Sequence, residues 1–184
     1  MSDTTIYSTG IIVPTGYSGT ATWSHNIIND TSSVLFLVNG HQVTATTFPN
    51  PSALDMYELV DMNIYLKDAY IPILTTPTTL FNVYFSPDTG STWFKKPTGI
   101  LTNSAQDITI TGVPKTADGW DSNWDWSGFT YTDISNIHLK VERKGTQLLY
   151  INSLKIEIFF KITPTNKVNV MNKLDLKGGS LTIK

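Results

Sequence analysis

Three tryptophans and three aspartates interleave in one short stretch of this 184-residue chain: Asp118, Trp120, Asp121, Trp124, Asp125 and Trp126, with Phe129 and Tyr131 after them. That mixture suits one kind of recognition. Exposed indole faces stack on the apolar faces of sugars, and nearby carboxylates accept hydrogen bonds from sugar hydroxyls. Trp120, Trp124, Trp126, Asp121 and Asp125 are therefore candidate glycan ligands. A second reading needs no ligand. A long irregular loop must be anchored, and large aromatic residues are mostly buried, so the rings can fold under the loop and plug the open end of a β-sandwich. Of the two, burial is the expected outcome. Oxygen ligands also suit Ca²⁺, but the spacing of Asp118, Asp121 and Asp125 matches no calcium loop, and no metal is expected.

Other reactive constellations do not assemble. The histidines, His25, His41 and His138, are scattered, and none has the spacing of a metal-ligand pair. Neither G-x-S-x-G nor a glycine-rich phosphate loop occurs. The chain has no cysteine, which excludes thiol catalysis, thiolate metal sites and disulfides. Carboxylate pairs for glycoside hydrolysis are defined by separation in space, so a hydrolase domain stays open as a third reading. The expectation is a protein with no enzymatic activity and no cofactor. Nucleic acid is not an expected partner, because the pI is about 5.8 and no basic stripe interleaves with aromatics. A membrane is not expected either, since no apolar run approaches the roughly 20 residues of a spanning helix. Met1-Ser2-Asp3-Thr4-Thr5 lacks the basic and apolar regions of a secretory signal.

The elements that would hold the aromatic loop read as β throughout. Ser86-Pro87-Asp88-Thr89-Gly90-Ser91-Thr92-Trp93 has the form S-x-D-x-G-x-T-W and lies between two β-type runs. Asp88 can fold its carboxylate onto backbone N–H groups of the turn, and Ser86 and Thr92 belong to the same staple. Gly90 supplies the positive φ of a tight hairpin, and Trp93 starts the return strand and packs across it. The motif is a scaffold device without chemistry of its own.

Strands are expected at Ile6–Val13, Thr20–Trp23, Val34–Val38, Gln42–Thr46, Asp55–Leu66, Leu80–Phe85, Thr92–Lys95 and Ile108–Thr111. Asn39-Gly40 predicts a hairpin joining Val34–Val38 to Gln42–Thr46. Thr132–Ser135 is expected to form a helical turn capped by Thr132. The cleanest alternation follows. Ile137, Leu139 and Val141 face inward, then Leu154, Ile156, Ile158, Phe160 and Ile162, with His138, Lys140, Glu142, Lys155, Glu157 and Lys161 facing out. About ten short strands with Gly, Pro and Asn turns between them argue for an all-β, antiparallel β-sandwich of jelly-roll type.

The chain divides at residue 163. Residues 1–163 form the sandwich, and residues 164–184 a short β-structured C-terminal extension. There Lys167, Val168, Val170, Leu174, Leu176, Leu181 and Ile183 alternate over a length too small to bury anything alone. Such a segment lies on its parent sandwich or on other copies of the chain. Charge separates in the same sense. Residues 1–139 hold 4 basic and 12 acidic residues, and residues 140–184 hold 9 basic and 3 acidic ones. A basic end can dock on an acidic partner, or its lysines can simply guard strand edges.

From Phe81 to Phe160 the chain resembles the galactose-binding-like jelly-roll domain of bacteriophage structural proteins and some microbial surface proteins. The resemblance rests on a series of segments: the S-x-D-x-G-x-T-W hairpin, Lys96–Thr102, the Gly- and Trp-containing loop Gly112–Trp126, the turn Thr132–Asn136, and the closing strand Tyr150–Phe160. The hairpin alone also looks like the Asp-box of sialidases, but propellers carry several copies and far more residues. The resemblance implies a structural component of a phage virion: an appendage, decoration or tail- or head-fibre protein, made in the host cytoplasm. Its partners would be other virion proteins and further copies of itself, a trimer being the natural guess for a fibre. The alternative is a glycan-binding module for host or surface attachment that uses the Trp-rich loop 118–131.

Overall fold

Alternation decides which face of each strand meets the core, and two departures from it show how the sheet keeps register. In Tyr57–Ala69 the buried residues Leu59, Met62, Ile64, Leu66 and Ala69 include two spacings of three, which a flat strand would send to opposite faces. Each odd spacing coincides with a break in pairing. One lies between Phe159 and Phe160, which pair with Asp61 and Leu59 and leave Val60 as the extra residue. The other lies between Leu66 and Ala69. There Asp68 takes φ +49° and its N–H donates to Asp107 Oδ1 at 3.2 Å. These bulges return both ends of the strand to the core face.

The structure, a computed structural model, describes residues 6–20, 35–37, 40–50, 57–70, 79–100, 104–112, 114–144 and 149–162. Its strands are β1 (Ile6–Ile12), β2 (Gly16–Gly19), β3 (Leu35–Leu37), β4 (Gln42–Thr46), β5 (Tyr57–Ala69) and β6 (Thr79–Ser86). They continue as β7 (Phe94–Ile100), β8 (Gln106–Ile110), β9 (His138–Arg143), β10 (Leu149–Ile151) and β11 (Ser153–Ile162). One sheet has the order β1-β11-β5-β8, the other β2-β4-β9-β6-β7, and β3 and β10 form a small third pair. All of these pairings are antiparallel.

Without β2, β3 and β10, eight strands remain. In chain order the first pairs the last, the second the seventh, the third the sixth and the fourth the fifth. That nested pairing is one long hairpin rolled over a core, and it defines a jelly roll. The protein is therefore an all-β antiparallel sandwich, as the sequence predicts. Phe81, Val83 and Phe85 of β6 and Leu139 and Val141 of β9 face Ile64, Leu66, Ile156 and Ile158 of the other sheet, all fully buried. Each such side chain contributes about 1.5–3 kcal/mol relative to exposure.

The structure corrects the sequence reading in four places. The Asn39-Gly40 signal does not close a hairpin between its flanking strands. Gly40 takes φ +74°, but β4 has β2 and β9 as its neighbours, while β3 pairs with β10. A strand forms at Gly16–Gly19, where none is expected, and glycine is what permits it; residues 21–23 of the expected strand Thr20–Trp23 lie outside the described residues. A Cβ on Gly19 would lie 2.3 Å from the Gln42 carbonyl oxygen. The return strand β7 continues through Pro97 to Ile100, which an edge strand tolerates. The helical turn is Tyr131–Asn136, capped from Thr130. Residues 164–184, with the expected assembly positions Lys167 to Ile183, lie outside the described residues.

Candidate functional site

At one end of the sandwich, three segments meet: the hairpin 86–93, the aromatic loop 112–130 and the turn 131–136. The hairpin folds as its residue types dictate. Ser86 Oγ donates to Asp88 Oδ1 at 2.8 Å and accepts from the Gly90 N–H at 2.8 Å. The Thr92 N–H donates to the same carboxylate oxygen at 2.7 Å. Ser86 is fully buried, so its bonds to Asp88 and Gly90 are shielded from water. Gly90 sits at φ +91° with Trp93 Cζ2 3.3 Å from its missing Cβ. Gly90→Ala is expected to lower stability by about 1–2 kcal/mol, read from the midpoint of chemical unfolding, because a side chain there is both strained and crowded. A variant as stable as the parent would contradict this.

Trp93 packs edge-on against Tyr84, and the Lys140 ammonium sits 4.3 Å from the Trp93 ring centre and 4.2 Å from that of Tyr84. Burial lowers the Lys140 pKa, opposed by Glu142. Tyr84 donates to Glu142 Oε2 at 2.5 Å, so this outer face of β6 and β9 is laced together from within.

The aromatic loop turns inward. Trp120 is 3% exposed and Trp126 8% exposed, and Trp124 is half-buried against the same core. Trp126 meets Phe129 at 5.3 Å and Trp124 at 6.4 Å between ring centres, and Trp124 meets Phe94 at 5.7 Å, all near perpendicular. Edge-to-face packing of this kind adds about 0.5–1.5 kcal/mol per pair beyond area burial. The exposure that a sugar-stacking platform needs is therefore lacking at Trp120 and Trp126. Their aspartate neighbours serve the backbone. Asp121 Oδ1 accepts from the Lys95 N–H at 2.9 Å, and Asp125 accepts from the Ser127 N–H and hydroxyl, each at 2.9 Å. The indole N–H groups of Trp120 and Trp124 are buried and have no acceptor among the described residues.

The turn closes the end. Thr130 donates its N–H and its hydroxyl to Asp133 Oδ2 at 2.8 and 2.7 Å, and the Thr89 N–H donates to the Asn136 carbonyl at 2.8 Å. Between hairpin, loop and turn lies a cleft of about 330 Å³ whose walls include Asp88, Trp124, Phe129, Asp133 and Asn136. Of these, only Trp124 was among the candidate ligands and Asp88 among the hairpin residues. Asp133 and Asn136 escape a motif search, although the Thr130-x-x-Asp133 spacing is a capping signal. Among the described residues no group of three or more His, Asp or Glu side chains is placed to hold a metal ion.

Titration around this end has a definite sign. Burial lowers the His138 pKa, against a smaller opposing pull from Asp88. A histidine that protonates more readily unfolded costs stability as pH falls through about 6.5. Burial raises the Asp88 carboxyl, but the bonds from Thr92, Ser86 and Ser91 outweigh it and hold the group below its ordinary value. At the far sheet, Lys67 does the same for Asp107, and the Ser8 and Tyr65 hydroxyls for Glu157. What these carboxylates contribute is present above about pH 4 and lost as pH falls through their depressed values. The melting temperature should therefore decline in two stages on acidification, and His138→Gln should flatten the first stage and spare the second. An unchanged first stage in that variant would contradict the assignment to His138.

No family model matches the sequence, and no curated protein matches it. Among solved structures, an arabinose-bound α-L-arabinofuranosidase is similar at 10% identity and a TM-score of 0.38, over 86% of this chain and 24% of that one. The chain thus spans about a quarter of that enzyme's length. A mud crab tombus-like virus structure is similar at 7% identity and a TM-score of 0.31, over 93% of this chain and 89% of that one. Likenesses this weak carry nothing about function.

Proposed function

We propose that the protein is a non-enzymatic structural component of a bacteriophage virion, an appendage, decoration or fibre-type subunit that works by assembling with copies of itself and with other virion proteins. The observation that carries this reading is the character of β1. It ends its sheet, so one side of its backbone has no strand partner among the described strands, and its Ile6 and Ile11 are 60% and 59% exposed. Their register partners Lys161 and Glu157 lie on the outer face of β11, so both isoleucines project away from the core. Ile6 faces out by simple alternation, and a bulge between Ser8 and Ile11, with Gly10 at φ +71°, brings Ile11 to the same face. An open strand edge flanked by apolar side chains is a template for pairing, which soluble monomers suppress. A jelly roll is a fold that virion proteins use, which supports the reading by analogy of fold.

In this reading the segment Lys167–Lys184 supplies the partner strand or the second contact, and rotational symmetry closes the assembly, a trimer being the simplest fibre form. The test is cross-linking of the whole chain against the double variant Ile6→Asp, Ile11→Asp. The parent should yield a discrete multimer that the variant loses while keeping its melting temperature. A parent that yields only single chains, or a variant that cross-links unchanged, would overturn the role of this edge. The glycan-binding alternative survives only where an aromatic surface remains accessible, and of Trp120, Trp124 and Trp126 that is Trp124.

A further inference from the structure

We infer that the cleft between the hairpin 86–93 and the turn 131–136 binds a neutral, hydroxyl-rich ring, a pyranose unit of a glycan. The site differs from the Trp120/Trp126 platform, whose rings are spent on the core, and it does not depend on the assembly role. At about 330 Å³ the cleft falls at the small end of the range of roughly 300–1,000 Å³ for small-molecule sites. Trp124, half-buried, provides aromatic surface, which suits the C–H face of a sugar ring, and the buried Phe129 backs it from the core. Asp88 and Asp133 provide carboxylates at the rim, and Asn136 an amide.

The state of these polar groups points to the ligand. Asp133 uses Oδ2 for Thr130, and no described residue donates to its Oδ1. The Asn136 side-chain amide makes no hydrogen bond with any described residue, although its carbonyl backbone is engaged by Thr89. A spare carboxylate oxygen accepts, while a spare amide both donates and accepts. Vicinal hydroxyls satisfy both, because each hydroxyl is a donor and an acceptor at once. An organic cation would use the carboxylates and leave the amide donor idle, and an anion would be repelled by Asp88 and Asp133, since no basic side chain lines the cleft. The walls are set in advance. The Asp88 staple, the Thr130–Asp133 cap and the Thr89–Asn136 bond tie all three segments together, so little ordering accompanies binding.

The experiment is NMR on the whole chain with the methyl glycosides of glucose, galactose, mannose and N-acetylglucosamine at millimolar concentration, with choline as the cationic probe. Saturation transfer to the ring C–H protons of at least one glycoside is expected, together with a shift of the Trp124 indole N–H signal. Asn136→Ala should weaken that binding about tenfold. Ser127→Arg at the cleft wall should abolish it by filling the space, and Asn136→Ala should keep the melting temperature of the parent. No transfer to any glycoside would overturn the inference. So would binding that both variants leave intact, or a response to choline alone, which would make the cleft a cation site.

Discussion

Trp126→Ala is expected to cost about 3–5 kcal/mol of unfolding free energy, the loss typical of a large aromatic removed from a core. Trp126 is 8% exposed, and its ring is bounded by Phe85 at 6.1 Å, Trp124 at 6.4 Å and Phe129 at 5.3 Å. Trp120, Trp124 and Phe129 anchor the same loop, and Trp126 lies where the last two meet. The loop's single described helical element, Thr116–Asp118, buries nothing. Removing the indole would open a void beneath the loop and free the end of the sandwich that holds the cleft. Urea unfolding of parent and variant gives the number directly. A ligand platform on the surface would behave oppositely, with stability changed by less than about 0.5 kcal/mol. A near-neutral Trp126→Ala would therefore refute the packing assigned to the loop.

The second large effect lies at the other end of β9. Arg143 continues the inward series of Leu139 and Val141, is 1% exposed, and heads the fully buried side chains in size. Burial lowers its pKa to about 10, and its guanidinium donates to the Lys144 carbonyl. Its backbone closes the same corner, with the Gly40 N–H donating to its carbonyl at 2.9 Å. Arg143→Ala should cost about 2–5 kcal/mol, because a long stem disappears from a packed corner. Arg143→Met keeps the stem and removes the buried charge, so it should stay within about 1.5 kcal/mol of the parent. Equal losses in the two variants would mean that the guanidinium bonds, not the packing, hold the corner.

Arg143 also marks where sequence pattern stops being informative. Period-two alternation predicts β9 and β11, because Leu139 and Val141, and then Leu154, Ile156, Ile158 and Phe160, are apolar at every second position. It could not place an arginine among them, since the rule sorts residues by polarity and Arg143 buries a polar head on an apolar stem. The Ser86–Trp93 hairpin was legible residue by residue, since each side chain acts on backbone atoms a few positions away. Asn39-Gly40 misled for the converse reason. Local turn chemistry is satisfied at Gly40, but which strand lies beside β4 is decided by the wrap of the whole chain. The jelly-roll class could be read from strand count and turn spacing, while the nested order could not. The burial of the tryptophan loop was the expected outcome. The cleft beside it was invisible, because Asp88, Asp133 and Asn136 meet only through the fold.

If this jelly roll works by assembly, its native mass in solution exceeds that of one chain. Light scattering on the whole chain should return a multiple of the 20.4 kDa chain mass across a range of concentrations, and a version ending at Ile162 should return a smaller mass. A whole chain that stays at 20.4 kDa at every concentration would contradict assembly and leave the cleft as the functional part of the molecule.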